Sequence, residues 1–419
     1  MGMLAGLSPQ LRQYLLVTGN YWVFTLSDGA LRMLVLLHFH GLGYSPLDIA
    51  MLFLFYEIFG VITNLIGGWL ATYLGLNNTM NLGLALQVVA LAMLLVPANQ
   101  LVVTWVMAAQ ALSGIAKDLN KMSAKSAVKL LVPSDAQSKL YQWVAILTGS
   151  KNAFKGLGFF LGAGLLELLG FTGAVGAMAG VLAVVCSLSL VILKKDLGKA
   201  KNKPKFTEIF SKSRALNYLS VARMFLFCAR DVWFVVALPV FLASKLNWDH
   251  WSVGGFLALW IIGYGAVQSV SPYFTGERLG KGIGKQSNKR LRKVPDGNSA
   301  FVWASVLSII PAFIAFSLHQ DFRPEFSLLI GIMVFGVLFA INSSLHSYLI
   351  VSYADKGRVS LDVGFYYMAN SMGRLAGTIL SGWLYQVAGL EGCLWVSSGF
   401  VVMAALTSIF LPKHQVEGA

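Results

Sequence analysis

Arg32, Lys117, Lys121, Lys151, Lys155, Arg223, Arg230 and Arg374 stand inside stretches otherwise made of apolar residues, as do Asp28, Glu57, Asp118 and Asp231. At the centre of a membrane-spanning helix such a side chain costs about 2.5–3.5 kcal/mol on the insertion scale. It persists where it faces a cavity, a partner or a ligand. The basic members outnumber the acidic ones, and their spacing groups them. Lys151 and Lys155 lie one helical turn apart, Arg223 and Arg230 two turns apart, and Lys117, Lys121 and Lys125 repeat every four residues. Like charges on one helix face repel, so these pairs suit an anion held beside them. Paired arginines fit phosphate-like oxyanions, because the guanidinium fork binds two oxygens at once. The eight cations are therefore the candidate substrate-binding residues.

The four carboxylates have two roles open to them, coupling to a proton or pairing with the arginines. Asp28 and Arg32 are spaced i,i+4, so they are expected to pair. Lys117 and Lys121 can instead reach toward the membrane surface. Asn20, Asn342, His346 and Asn370 are candidate polar contacts in the same space, although a buried histidine is more often a satisfied interior residue. Trp and Tyr side chains read as packing and interfacial anchors. Cys186, Cys228 and Cys393 lie far apart with no metal or disulfide spacing. No metal site, cofactor or catalytic cluster is expected, and a membrane-embedded enzyme would need the last of these.

Several long elements must position these charges. The 419 residues are 57% hydrophobic and 12% charged, with mean hydropathy +0.69, where a soluble chain carries about 25% charged residues. A span needs roughly 20 mostly apolar residues. Twelve spans are expected, near 12–38, 47–73, 79–97, 101–124, 139–168, 171–193, 215–243, 251–275, 298–318, 325–351, 362–388 and 391–411. The expected class is an all-α membrane protein of two six-helix bundles around a central cavity. Residues 1–193 form the first bundle, 194–213 a basic linker and 214–419 the second, which carries a basic loop at 277–297. No cleavable secretion signal is expected. With the first residues in the cytoplasm, only Lys245 and Arg323 fall in outer loops. This bias places both termini in the cytoplasm. It explains the net charge of +14 by contact with the lipid bilayer rather than with nucleic acid.

The halves repeat. Asn20–Asp28 and Arg223–Asp231 share one spacing at an offset of 203, and Asn152–Gly170 parallels Asn370–Gly389 at an offset of 218 to 219. Asp28 then matches Asp231, and Lys155 matches Arg374, which places each pair across a central axis. The pattern resembles the major facilitator superfamily. That family's loop signature survives only in part at Gly68–Gly75, where Thr72 replaces the acidic residue and Asn77 and Asn78 stand near the basic pair. The stretch Gly280–Lys285 lacks the spacing of a phosphate loop, since position 279 is Leu and position 286 is Gln. Asn77-Asn78-Thr79 matches a glycosylation sequon on the predicted cytoplasmic side.

Four stretches go further: LVTGNYWVFTLSDGALRMLVLLHFHGLGYSP (17–46), QALSGIAKDLNKMSAKS (110–126), LTGSKNAFKGLGFFLGAGLLE (147–167) and ARDVWFVVALPVFLASKLNWDHWSVGGFLALW (229–260). Together they resemble ArsJ-type organoarsenical efflux permeases. The resemblance implies export of 1-arseno-3-phosphoglycerate across a bacterial inner membrane for arsenate resistance. It also implies a functional partner, the glyceraldehyde-3-phosphate dehydrogenase that makes this ester. Another organic phosphate or organic anion is the alternative cargo.

Overall fold

The computed structural model describes residues 9–44, 52–132, 137–193, 205, 210, 213–248, 250–275, 277–278, 292–293, 295–355 and 357–413. Eleven α-helices run through them: α1 Pro9–Gly41, α2 Leu54–Leu74, α3 Leu76–Met93, α4 Val103–Leu131, α5 Gln137–Ile192, α6 Arg214–Phe234, α7 Ala237–Lys245, α8 His250–Thr275, α9 Gly297–His319, α10 Pro324–Tyr353 and α11 Val359–Ser408. Two of them are double. The 56-residue α5 turns at Gly170 (φ 67°, ψ 179°), and the 50-residue α11 turns at Gly389 (φ 63°, ψ −167°). Only glycine adopts this backbone without strain. The two turns are 219 residues apart, the offset of the sequence repeat. Conversely, α6 and α7 form one crossing, Arg214–Leu242, interrupted near Val236. The Ser381 hydroxyl accepts there from the N–H groups of Val236 and Ala237 at 3.3 and 3.1 Å. Backbone donors freed inside a membrane need such a partner.

The crossings thus follow the expected order. Among the described residues, eight segments are long and apolar enough to span a membrane. The 18-residue α3, the charge-bearing α4 and the first arm of α5 fall outside that set, and α11 enters it as one 50-residue segment. The all-α class is as expected, with one short extended pair beside the helices. A two-residue antiparallel pair, β1 Glu277–Arg278 with β2 Arg292–Lys293, joins Glu277 to Lys293 and Arg278 to Arg292. It pins the base of the basic loop. The loop's interior, the decoy at 280–285 and most of the 194–213 linker lie outside the described residues.

Local signals set several ends. Ser213 caps α6 by accepting from the Leu216 N–H. Asp296 caps α9 through a reciprocal box with Ser299. Pro324 opens α10 in the first turn, where its missing N–H is harmless.

Helices α1–α5 pack mainly on one another, as do α6–α11, and the two sets meet chiefly where α5 lies on α8 and α2 on α11. Small residues allow the closest approaches. A Cβ at Gly158 of α5 would meet the α1 carbonyl of Leu26 at 2.5 Å. At its repeat equivalent, Gly377 of α11, it would meet the α6 carbonyl of Cys228 at 2.9 Å. The pairs α1·α5 and α6·α11 are thus one packing used twice.

The two ends of the bundle differ. At the end carrying Tyr14, Leu131, Leu216, Tyr348 and Leu411, one hydrophobic core runs through both sets of helices. Toward the far end the core divides: one part holds Leu31, Phe39, Leu94 and Phe171, the other Trp233, Trp260, Phe335 and Leu394. The shared core is reinforced by hydrogen bonds across the halves. Asn64 donates to Ser371 at 2.9 Å, Asn152 to Gln268 at 2.5 Å and Lys129 to the Ser352 carbonyl at 3.2 Å. The halves are thus sealed together by one core at the end of Tyr14 and Leu411, and beyond it each half keeps a hydrophobic core of its own.

Replacing Gly377 with Val should lower the melting temperature of the purified protein, because overpacking a close helix contact costs about 1–3 kcal/mol. Gly382→Val, where an added Cβ meets nothing within 4 Å, is the control and should not produce a comparable loss. Equal melting of all three proteins in detergent would contradict the close-packing account.

Candidate functional site

Above the sealed end, α1, α2, α4, α5, α6 and α11 turn charged side chains toward one another. A chain of ion pairs crosses between the halves. Arg32 lies 3.2 Å from Glu57 Oε1, and the same oxygen lies 2.5 Å from Arg374 Nη2. Arg374 Nε reaches Asp231 Oδ2 at 3.4 Å, and Asp231 Oδ1 holds Arg230 Nη2 at 2.5 Å. Glu57 comes from α2 and Arg374 from α11, so one carboxylate oxygen joins the two halves. The basic side chains keep 16–25% of their surface exposed. These side chains therefore keep part of their surface accessible although they lie among the helices.

The expected Asp28–Arg32 pair does not form. Asp28 instead accepts a 2.6 Å hydrogen bond from Tyr56 Oη. Arg32 turns to Glu57 and rests over the Tyr56 ring, 4.6 Å from its centroid. The cause is Tyr56 itself, which satisfies the aspartate with its hydroxyl and the arginine with its ring face. Toward the sealed end, Asp118 holds Lys117 at 3.5 Å and Lys121 at 2.5 Å. Neither lysine reaches out of the bundle. Lys117 sits 3.8 Å from the Tyr56 ring centroid and Lys121 4.5 Å from that of Tyr367.

Deeper still, the cations lose their carboxylates. Arg223 is almost fully buried and donates to two neutral acceptors, Asn370 Oδ1 at 2.9 Å and the Ser343 carbonyl at 3.2 Å. Its guanidinium also lies 4.0 Å from the Phe227 ring centroid. Lys125, buried on α4, donates to Thr148 Oγ1 at 2.6 Å. Among the described residues, Lys151 and Lys155 make no ion pair or hydrogen bond. Nine basic side chains thus share this interior with the carboxylates of Asp28, Glu57, Asp118 and Asp231.

The polar candidates divide. Asn370 is in the cluster through Arg223. His346 is fully buried on α10, and both of its ring nitrogens lack a hydrogen bond; Arg223 is its charged neighbour. Two others serve helix packing instead. Asn20 donates to Ser189 at 2.7 Å, and Ser189 in turn bonds Asn81, which ties α1 to α3 and to the second arm of α5. Asn342 donates to the carbonyls of Trp303 and Leu338 at 2.9 and 3.0 Å. The repeat equivalents are also used unequally, since Arg374 holds two carboxylates while Lys155 holds none.

The aromatic residues are more than anchors. Tyr56, Phe227, Tyr366 and Tyr367 supply ring faces to six of the cations. Of these, Phe227 alone stands at i,i+4 and i,i+3 spacing to its cations, Arg223 and Arg230; the three tyrosines meet cations on other helices. Lys125 was visible in its four-residue rhythm but stood apart from the candidate set. Among the described residues no group of His, Cys, Asp and Glu could hold a metal.

This architecture has relatives. A family model described as Major Facilitator Superfamily matches residues 17–291. The chain belongs to the major facilitator superfamily. No curated protein matches it in sequence. Solved transporter structures of the superfamily share its fold along nearly the whole chain. The human organic anion transporter MFSD10 (TETRAN) superposes with TM-score 0.72 at 16% identity, covering 96% of this chain and 100% of that one. A bacterial homologue of the iron transporter ferroportin, in an outward-facing state, gives TM-score 0.73 at 16% identity, with 94% and 98% covered. The E. coli fucose:proton symporter FucP gives 0.70 at 11% identity, with 96% and 99% covered.

The Glu57 bridge makes a thermodynamic prediction. Glu57→Gln leaves Arg32 without its carboxylate and deprives Arg374 of one of its two, so it should lower stability. The expected loss is at the low end of the roughly 3–5 kcal/mol seen for half-broken buried pairs, given the remaining exposure. Glu57→Gln combined with Arg374→Gln should recover part of that loss. Strict additivity in thermal unfolding, with no coupling between the sites, would contradict the bridge.

Proposed function

We propose that this chain is a secondary active transporter that exports an anionic organoarsenical, 1-arseno-3-phosphoglycerate, by alternating access. The observation that supports an anionic cargo is the excess of cations in the cleft. Nine basic groups share it with four carboxylates, and Lys125, Lys151, Lys155 and Arg223 make no contact with an acidic side chain among the described residues. Uncompensated charge in a low-dielectric interior is costly. A multiply charged anion would relieve it. Eight cations predicted as substrate contacts (Arg32, Lys117, Lys121, Lys151, Lys155, Arg223, Arg230 and Arg374) converge with Lys125 on this region.

The identity of the cargo follows from the resemblance of the 17–46, 110–126, 147–167 and 229–260 stretches. The chemistry is compatible. The ester carries a phosphate and an arsenate group, and its arsenic is pentavalent and oxygen-bound, so no thiolate trio is required. Cys186, Cys228 and Cys393 are buried and separate. The chain would act in a bacterial inner membrane with both termini cytoplasmic. A glyceraldehyde-3-phosphate dehydrogenase would form the ester inside the cell. The sealed end of the bundle is then cytoplasmic, and the cleft opens outward. Asp28, Glu57, Asp118 and Asp231 serve as ion-pair partners or as coupling carboxylates. A carrier of another organic phosphate or organic anion is the alternative, because the charge excess selects for sign and not for arsenic.

Arsenate-sensitive bacterial cells test the reading. Co-expression of the chain and the dehydrogenase should protect them, and the chain without the dehydrogenase should not. Replacing Arg223, Arg230 or Arg374 with Ala should abolish protection while membrane insertion stays normal. Wild-type resistance in all three variants would contradict the cationic-cleft model. Protection that does not depend on the dehydrogenase would remove the arseno ester as cargo.

A further inference from the structure

Charge compensation is uneven along the cleft, and the unevenness is directional. Near the mouth, Arg32, Arg230 and Arg374 are held by Glu57 and Asp231. One step deeper, Lys117 and Lys121 share Asp118. At the sealed floor, Lys125, Lys151 and Arg223 touch no carboxylate, and the charged neighbours of Lys125 are Arg223, Lys151 and Lys121, all of its own sign. Two neutral polar groups next to Arg223 lack partners of their own: Tyr366 Oη and the His346 ring nitrogens are buried and unbonded. Tyr366 stacks beneath Arg223 at 5.4 Å, and its neighbour Tyr367 beneath Lys125 at 5.3 Å.

We infer that Lys125, Lys151 and Arg223 form a dedicated oxyanion subsite at the sealed floor of the cleft, which holds one tetrahedral phosphate-like head of a free, water-soluble anion. The inference rests on the reading of the chain as an anion carrier and adds where the head group sits. Lys125 and Lys151 belong to α4 and α5, and Arg223 to α6, so the bound head would be shared between the halves. The hydroxyl of Tyr366 would join its oxygen shell. Any second anionic group on the same molecule would then reach toward Lys155 and the arginines nearer the mouth. Lys125, absent from the sequence-derived set, becomes a principal ligand.

A ligand-binding cation without a counter-charge leaves a signature that a structural cation does not. Replacing it with an isosteric apolar residue removes a buried, uncompensated charge, which is neutral or stabilising without ligand. The test is thermal unfolding of the purified full chain in detergent, titrated with inorganic phosphate against chloride of equal ionic strength. Wild type should be stabilised saturably by phosphate. Lys125→Met and Lys151→Met should melt at the same or a higher temperature without phosphate. Their phosphate response should be weakened about tenfold or more, as expected for loss of a charge-assisted hydrogen bond. Lys139→Met, which removes an exposed charge at the start of α5, should respond like wild type.

Phosphate stabilisation that persists unchanged in both lysine variants would overturn the subsite while leaving the anion-carrier reading intact. No phosphate response in wild type would overturn both. A Lys125→Met protein that melts earlier without phosphate would make Lys125 structural and overturn its assignment, and Lys151→Met, which breaks no hydrogen bond, still tests the floor alone. Stabilisation by added phosphatidylglycerol and not by phosphate would assign the pocket to a lipid headgroup and overturn the free-anion form.

Discussion

A charge taken into a membrane must be met by an opposite charge, by oriented dipoles or by a ligand. Much of this molecule can be read as a graded answer to that requirement. Where carboxylates are present they are shared to the limit, so that Glu57 Oε1 serves Arg32 and Arg374 together. Where they run out, ring faces and neutral oxygens take over, as Phe227, Asn370 and the Ser343 carbonyl do for Arg223. Aromatic faces give a cation partial relief without neutralising it. Such a lining keeps its net positive potential, which a row of carboxylates would have cancelled.

The packing of the two halves is arranged around this lining. Glycine-mediated contacts hold α1 to α5 and α6 to α11 in the same way in each half. Within a half, therefore, the cations of α1 and α5, or of α6 and α11, move as a unit. Between halves the sealed end combines a shared hydrophobic core with side-chain hydrogen bonds, such as Asn64 with Ser371 and Asn152 with Gln268. Each of these bonds contributes modestly. The Glu57–Arg374 pair is a further tie between the halves, and under the proposed function an anion bound there would compete with Glu57 for the same guanidinium. This competition gives a physical route from ligand binding to rearrangement, since a ligand shifts an equilibrium only through its different affinity for the two states.

Much of this was legible in the sequence. The charged positions within apolar runs marked the helices whose charged side chains meet, and the repeat offset matches the equivalent turns at Gly170 and Gly389. Less legible was who pairs with whom. Intrahelical spacing favoured Asp28 with Arg32, but the choice is made by Tyr56 and Glu57 on another helix, and no spacing along one chain reveals that. Asn20 and Asn342 failed as cleft residues for a related reason: an asparagine within a span satisfies itself across whichever helix it faces, and here each faces its own bundle. The aromatic partners were hidden because tyrosine is common at membrane interfaces, and only the fold shows which rings lie beneath cations. The β-pair at 277–278 and 292–293 carries no periodicity long enough to be seen.

Counterflow in vesicles reconstituted with the purified chain tests the central claim, that net positive charge in the cleft selects an anionic cargo. Vesicles preloaded with a three-carbon phosphate ester should take up the same labelled ester against its concentration gradient. A neutral polyol of equal size should not exchange. Equal exchange of the neutral compound, or exchange of neither by a folded protein, would contradict the account.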